Sequence, residues 1–214
     1  VISLAVVFAV SLGVILALSN NTSSAASNQQ LDILSILPSD PVLGSTDAPV
    51  TIFEYGDFQC PSCGHWFKTQ EPQIVRNLIE TGKAKLVWRD FAFYGQDSTL
   101  AAIAARVAGE QGKFWDFHNI LYSNQGAPND GWASERNLRD FAQRLGLNMN
   151  DFDQVLHSGK YDSLIKSNFD KGRQLNANGT PTFFVVGPTG NVVKIEGGQP
   201  YSVFESVVNS LIRG

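Results

Sequence analysis

Three kinds of hydrophobic spacing run along this chain. From Val1 to Leu18 the residues are almost wholly apolar, and no charge appears before Asp32. At ~1.5 Å per residue such a run just reaches across a bilayer core, so residues 1–19 read as a transmembrane anchor or a signal peptide. The run is apolar all round rather than on one side, which does not suit a buried amphipathic helix. Residues 20–44 read as a linker. Ser19 to Gln30 is small, polar and uncharged, as a flexible tether is, and Ser23 to Ser27 would also accommodate signal cleavage. Anchor and cleaved signal therefore both stand. Leu31 to Gly44 carries scattered apolar residues and two prolines, a lead-in that packs on the domain beyond.

Short, continuous apolar runs come next. Val50 to Tyr55 predicts a strand buried on both faces, at the centre of a sheet with helices on each side. A helix-like run from Cys63 to Ile79 follows, with Pro72 inside it to kink or break it, and Gly82 ends it. Ala84 to Arg89 predicts a second strand. From Asp97 the spacing turns helical: Leu100, Ile103, Ala104 and Val107 form one stripe. Leu138, Phe141, Ala142 and Leu145 form another, with Ser134 as its cap and Gly146 as its stop. Phe114 to His118 opens a further helix, Phe152, Val155 and Leu156 mark a short one capped by Asn150, and Tyr161, Leu164, Ile165 and Phe169 mark the last of this block. Strand signals return as a hairpin, Thr182 to Val186 and Val192 to Ile195 around Pro188 to Asn191. A helix over Tyr201 to Arg213 closes the chain.

The predicted order is β, α, β, helical block, β, β, α. It assigns 45–95 and 176–214 to one α/β domain and 96–175 to an all-helical insertion. The 214 residues, 43% hydrophobic, suffice for one core with such an inserted subdomain. A net charge of −4 without any basic run argues against nucleic acid as a partner.

Both cysteines of the chain stand in Cys60-Pro61-Ser62-Cys63, between the first strand and the helix after it. Two thiols that close can switch between dithiol and disulfide. Pro61 suits the first position of a helix, which makes Cys60 the N-cap. A sulfur there faces unpaired backbone N–H groups and the positive end of the helix dipole, and both favour thiolate. Cys63 lies one turn in, on the covered side. The pair thus offers an exposed nucleophilic sulfur, Cys60, and a sheltered resolving sulfur, Cys63. A structural zinc site would need a second ligand pair, and His65, His118 and His157 are scattered, so no metal is assigned. A purely structural disulfide across so short a loop removes little unfolded-state entropy.

Four segments in order carry a resemblance. They are Phe53 to Cys63, Thr81-Gly82-Lys83 before Leu86 to Phe91, Gly112 to His118, and Gly179-Thr180-Pro181-Thr182-Phe183-Phe184. From about Leu43 to the C-terminus the chain resembles the DsbA-type branch of the thioredoxin superfamily, in particular its membrane-tethered, BdbD-like members. The resemblance implies a thioredoxin fold with a helical insertion, and a thiol–disulfide oxidoreductase with no cofactor beyond the Cys60–Cys63 disulfide. It implies that Pro181 is cis and faces the cysteine pair, so that the backbone of Thr180 pairs with an extended substrate peptide beside Cys60, Pro61 and Ser62. It implies, too, an acid beneath the inner cysteine as proton acceptor. Glu54 fits, because a carboxylate in an apolar strand needs a use or a partner; a carboxylate reaching solvent at the strand end is the competing reading. Asp57, in the turn, is the weaker choice.

The activity expected is disulfide formation in unfolded or reduced exported proteins, with the catalytic domain extracytoplasmic and a quinone-linked membrane thiol oxidase regenerating the pair. The dipeptide between the cysteines is Pro-Ser, without the histidine of the best-known oxidases, and His65 lies just outside. A disulfide reductase or isomerase therefore remains an alternative. A membrane-tethered chaperone for a soft metal ion is another, although neither Met149 nor a histidine is placed to complete such a site. A holdase using Trp66, Phe114 and Trp115 is a third, against which their helical spacing favours core packing.

Overall fold

The computed structural model describes residues 28–214, so the apolar run 1–19 lies outside the described residues. No helix among the described residues is long and apolar enough to cross a membrane. Residues 28–33 are helical, and the unit that carries the sheet runs from Ile36 to Gly214.

Five strands form one mixed sheet: β1 (Val42–Leu43), β2 (Val50–Gly56), β3 (Ala84–Asp90), β4 (Thr182–Val186) and β5 (Val192–Glu196), in the order β1-β3-β2-β4-β5. The apolar run of β2 takes the centre, parallel to β3 and antiparallel to β4. β1 was not expected. Two residues read as the end of the linker pair antiparallel with β3, Val42 with Val87 and Leu43 with Leu86. A two-residue strand is too short to show any periodicity.

The crossover from β2 to β3 is helical. α1 (Pro61–Thr69) stops at Gln70, and α2 (Glu71–Ile74) begins there with Pro72 in its first turn, where a missing N–H costs nothing. The chain continues as a π-helical turn, Val75–Ile79, so Pro72 breaks the run as its ring dictates. Between β3 and β4 lie α3 (Gln96–Glu110), α4 (Phe114–Ser123), α5 (Glu135–Arg144), α6 (Met149–Leu156) and α7 (Asp162–Gln174), and α8 (Tyr201–Arg213) follows β5. Gly146 has φ +70°, the left-handed conformation that stops α5. The cap of α6 is Asn148 rather than Asn150: its side-chain oxygen accepts from the N–H groups of Asn150 and Asp151. α3 buries Ala101, Ala104, Ala105 and Ala108, while Leu100 and Ile103 are half-buried at the edge of that face.

Two apolar clusters result. One joins Val50, Ile52, Trp66, Leu78, Phe183 and Phe204, from the sheet, α1, the π-turn and α8. The other joins Phe58, both cysteines, Trp88 and the inner faces of α3 to α6. Asp90, at the end of β3, ties the helices to the sheet. Its carboxylate accepts from Trp88 Nε1 (2.8 Å), from Arg106 Nε of α3 (2.8 Å) and from Asn168 Nδ2 of α7 (3.2 Å). Arg106 and Asp90 are both buried, so each satisfies a charge that water cannot reach. Asp90→Ala would strand the guanidinium, and we expect it to cost about 3–5 kcal/mol in chemical denaturation.

Candidate active site

β2 ends at Gly56, and the next four residues form a tightly held turn into α1. Asp57 organises it. One carboxylate oxygen accepts from the N–H of Gln59 (2.8 Å), and the other from the N–H groups of Phe93 (2.6 Å) and Tyr94 (3.0 Å) in the loop after β3. Its carbonyl accepts from the N–H of Cys60 (3.0 Å) and from the Tyr122 hydroxyl (3.2 Å). Asp57 is thus occupied in holding the backbone.

The helical block grips the same turn from its other side. Gln125 Nε2 donates to the carbonyls of Phe58 (2.7 Å) and Cys60 (2.9 Å). The Gln59 amide bonds Ser98 Oγ (3.1 Å) and Asn129 Oδ1 (3.2 Å) and accepts from the Asn129 N–H (2.8 Å). None of these partners stood out in the sequence. They are single polar side chains in loops and helix faces, recognisable only once the turn is folded against them.

Cys60 is the N-cap of α1 with extended backbone, φ −70° and ψ 118°, and Pro61 follows it. Both thiols are free. Cys60 was expected to be exposed, and the structure corrects this: it is 2% accessible, against 0% for Cys63. The cause is the segment before β4, whose Thr180 carbonyl accepts from Cys60 Sγ at 3.2 Å. Pro61 and Ser62, by contrast, are exposed. The Thr180–Pro181 peptide bond is cis. A groove of about 250 Å³, lined by Asn178 to Thr182 with Glu196 and Gly197, lies beside it. His65 is exposed on α1.

The two sulfurs differ sharply in electrostatics. Hydrogen bonding from Cys63 pulls the pKa of Cys60 down to about 6, against an opposing effect of burial, with help from the Thr180 side chain, as distinct from its carbonyl, and from the backbone N–H groups of Cys63 and Ser62. Cys63 is pushed well above the ordinary thiol value, first by burial, then by its bond to Cys60 and the charges of Cys60 and Glu54.

Glu54 shares the face of Val50 and Ile52 by the period-two alternation of a strand. It is 1% accessible, so it does not reach solvent at the strand end. Burial raises its pKa well above the carboxylate range, and the charges of Glu71 and Cys60 raise it further. Sequence reasoning missed Glu71. It stands in the first turn of α2, where an acid is ordinarily solvated and favourable to the helix dipole, so nothing in the local pattern marked it. Here it is buried, and burial lifts its pKa to about 8. His118 is fully buried among Phe58, Phe67, Trp88, Trp115 and Tyr122, which brings its pKa down to about 4, so the ring is neutral. One donor atom from each of Glu54, Glu71 and His118 lies within 4.8 Å of the others, the one such grouping of potential metal donors among the described residues. Raised carboxyl pKa values mean that protons already compete for those oxygens.

The grip of Gln125 makes a testable prediction. Gly64, inside α1, faces it so closely that an added Cβ would lie 1.9 Å from Gln125 Oε1. Gly→Ala inside a helix ordinarily stabilises by about 1 kcal/mol. Gly64→Ala should instead lower stability, because it displaces an amide that holds two carbonyls at about 1 kcal/mol each. In a Gln125→Ala background the same change should become stabilising, as a denaturant double-mutant cycle would read.

The known proteins that this chain matches agree with the fold. A thioredoxin family model matches residues 37–201. The probable disulfide bond formation protein D of Bacillus cereus is 33% identical over 153 residues, covering 70% of this chain and 71% of that protein. Disulfide bond formation protein D of Bacillus subtilis is 32% identical over 148 residues, 68% of this chain and 67% of that protein. The crystal structure of oxidised BdbD from Bacillus subtilis superposes with a TM-score of 0.72 at 28% identity, covering 82% of this chain and 94% of that one.

Proposed function

The chain belongs to the DsbA-type thiol–disulfide oxidoreductases of the thioredoxin family, and we propose that it forms disulfide bonds in exported proteins through Cys60 and Cys63. The observation that carries this reading is the split between the two sulfurs. One thiol near pH 6 and one far above 9, two residues apart, make a pair that breaks in one direction.

A substrate thiolate attacks Cys60 Sγ of the oxidised pair. The Cys60–Cys63 bond breaks, Cys63 takes the electron pair, and a mixed disulfide forms. The buried Cys63 cannot hold that charge, and Glu54, protonated by its burial, supplies the proton. A second substrate thiolate then attacks the substrate sulfur, and Cys60 leaves as a thiolate. The substrate carries away the disulfide, and the redox group is the cysteine pair itself. A thiol of pKa about 6 is about nine-tenths thiolate at pH 7, which favours the reduced enzyme by about 1.4 kcal/mol, or about 30 mV, over a thiol at 9. This supports oxidation over reduction despite the Pro-Ser dipeptide.

Substrate engagement follows from the surroundings of Cys60. Thr180 and Pro181 line the adjacent groove, and Pro61 and Ser62 present an exposed edge. We assign these four to the binding of an extended peptide. Phe93, 51% exposed in the loop that Asp57 holds, offers an apolar contact suited to unfolded chains. The residues 1–19 would anchor or export the domain, placing it outside the cytoplasm, where a quinone-linked membrane thiol oxidase would restore the disulfide.

Alkylation of the reduced protein over a pH series tests the reading. The rate at Cys60 should rise through about pH 6 and level off by about pH 7, with Cys63 unreactive throughout. Cys60→Ser should abolish oxidation of a reduced peptide, and Cys63→Ser, offered a peptide disulfide instead, should trap the mixed disulfide by exchange, one peptide sulfur leaving as a thiolate. The potential should fall between thioredoxin's, about −270 mV, and about −120 mV. A Cys60 that titrates near 9 would overturn the reading.

A further inference from the structure

We propose that Glu71, with His118, forms a proton relay that joins Glu54 beneath the cysteines to a second cleft, separate from the substrate groove. The proposal rests on the reading of Glu54 as the proton donor to Cys63, and it concerns how Glu54 recovers that proton.

Among the buried side-chain polar atoms without a hydrogen-bond partner are Glu54 Oε2, Glu71 Oε2 and His118 Nε2. Their residues are the three whose donor atoms converge within 4.8 Å. Two carboxyl groups so close and so dry do not both ionise. When each keeps its proton, a hydrogen bond between the two carboxyl groups satisfies the orphaned oxygens, and the neutral imidazole adds a polar partner without adding charge. Glu54 itself is 1% accessible and has no exit of its own. Glu71 has one. It lines a cleft of about 580 Å³ together with Phe67, Lys68, Arg76, Glu80 and Asn119. Asn119 is exposed there, and its side-chain oxygen lies 3.1 Å from His118 Nδ1. Glu71 therefore meets the cleft directly, and His118 reaches it only through Asn119. It shares no lining residue with the groove beside Pro181.

The groups facing the cluster come from every element around it. They are Glu54 of β2, Asp57 of the turn, Cys60 and Cys63 at the start of α1, Glu71 of α2, and His118 and Tyr122 of α4. Lys68, Arg76 and Glu80 stand at the rim. When Cys63 leaves as a thiolate, Glu54 gives it a proton and becomes a carboxylate. Glu71 passes its proton to Glu54, and water in the cleft restores Glu71. The reverse sequence carries the proton out when Cys63 is oxidised again. Neither direction requires water to enter beside the mixed disulfide. Glu71 and His118 touch no substrate atom, so they are positioning residues that act through Glu54.

Single-turnover oxidation of a reduced peptide by the full chain tests this, read across pH for the native protein, Glu71→Gln, Glu71→Asp and Glu54→Gln. Glu71→Gln keeps the shape and removes the acid. It should slow mixed-disulfide formation about tenfold, less than the 10²–10⁴ typical of a direct acid. It should also move the carboxyl-dependent limb to lower pH, since Glu71 no longer raises Glu54, and remove one protonated-carboxyl band from the infrared redox difference spectrum. Cys60 alkylation should keep its profile, and Glu71→Asp should restore the rate. If Glu54→Gln slows the reaction but Glu71→Gln leaves rate, pH profile and infrared bands unchanged, the relay is wrong and the donor role of Glu54 survives. If Glu54→Gln changes nothing, the donor reading fails and takes the relay with it. Stoichiometric Zn²⁺ uptake that is lost in Glu71→Gln would assign the three donors to a metal and overturn the proposal.

Discussion

The structure turns on a sulfur held at the first turn of a helix. Cys60 caps α1 with no side-chain oxygen of the usual kind, so the free N–H groups of that turn are left to the sulfur. The bonds from Cys63, Thr180 and the backbone outweigh the burial that would otherwise keep Cys60 protonated. Burial alone raises a thiol's pKa, and Cys63, three residues on and without the open end of the helix, shows the result. The same short stretch of chain thus prepares one anion and forbids the other.

Such a balance holds only while the turn keeps its shape, and the rest of the fold is arranged to keep it. Asp57 fixes the turn to the loop after β3, and Gln125, Gln59 and Tyr122 fix it to the helical block. Asp90 and Arg106 in turn fix that block to the sheet. The insertion is therefore part of the active site's frame, although it supplies no reacting atom. The covering of Cys60 to 2% accessibility belongs to the same logic. The contact with Thr180 screens the sulfur from water, so the electrostatic effects on it stay strong.

The sequence carries this design unevenly. Element order, the Pro72 break, the Gly146 stop and the hairpin are legible because each depends on local periodicity or on one residue's backbone limits. The Cys60–Cys63 spacing is legible for the same reason. Glu54 is legible as an acid in an apolar strand, since burial of a charge stands out against its neighbours. Glu71 is not, because an acid in the first turn of a helix is where solvent-facing helices also place one. Its burial comes from what lies across the fold from it, with Glu54 of β2 and His118 of α4 converging on its carboxyl. β1 fails for want of length, and Gln125 and Asn129 fail because a lone amide in a loop has no pattern. What the chain hides are the residues whose role is set by what lies across the fold from them.

The asymmetry of the two sulfurs has a consequence for charge. In the proposed cycle the charge that Cys60 carries on release can stay there, where hydrogen bonds hold it, but the electron pair freed when the disulfide first opens falls on Cys63, a fully buried atom. A proton must arrive there within the lifetime of the mixed disulfide, while the substrate itself closes the groove on the other side. An acid sealed into the sheet can meet that demand once. To meet it repeatedly it needs a path to water that the substrate does not obstruct, and Glu71, close to Glu54 yet lining a cleft of its own, is placed for the relay proposed above. On that relay, the same burial that makes Cys63 a sheltered partner gives a second carboxyl, costly in a protein core, a use beside the first.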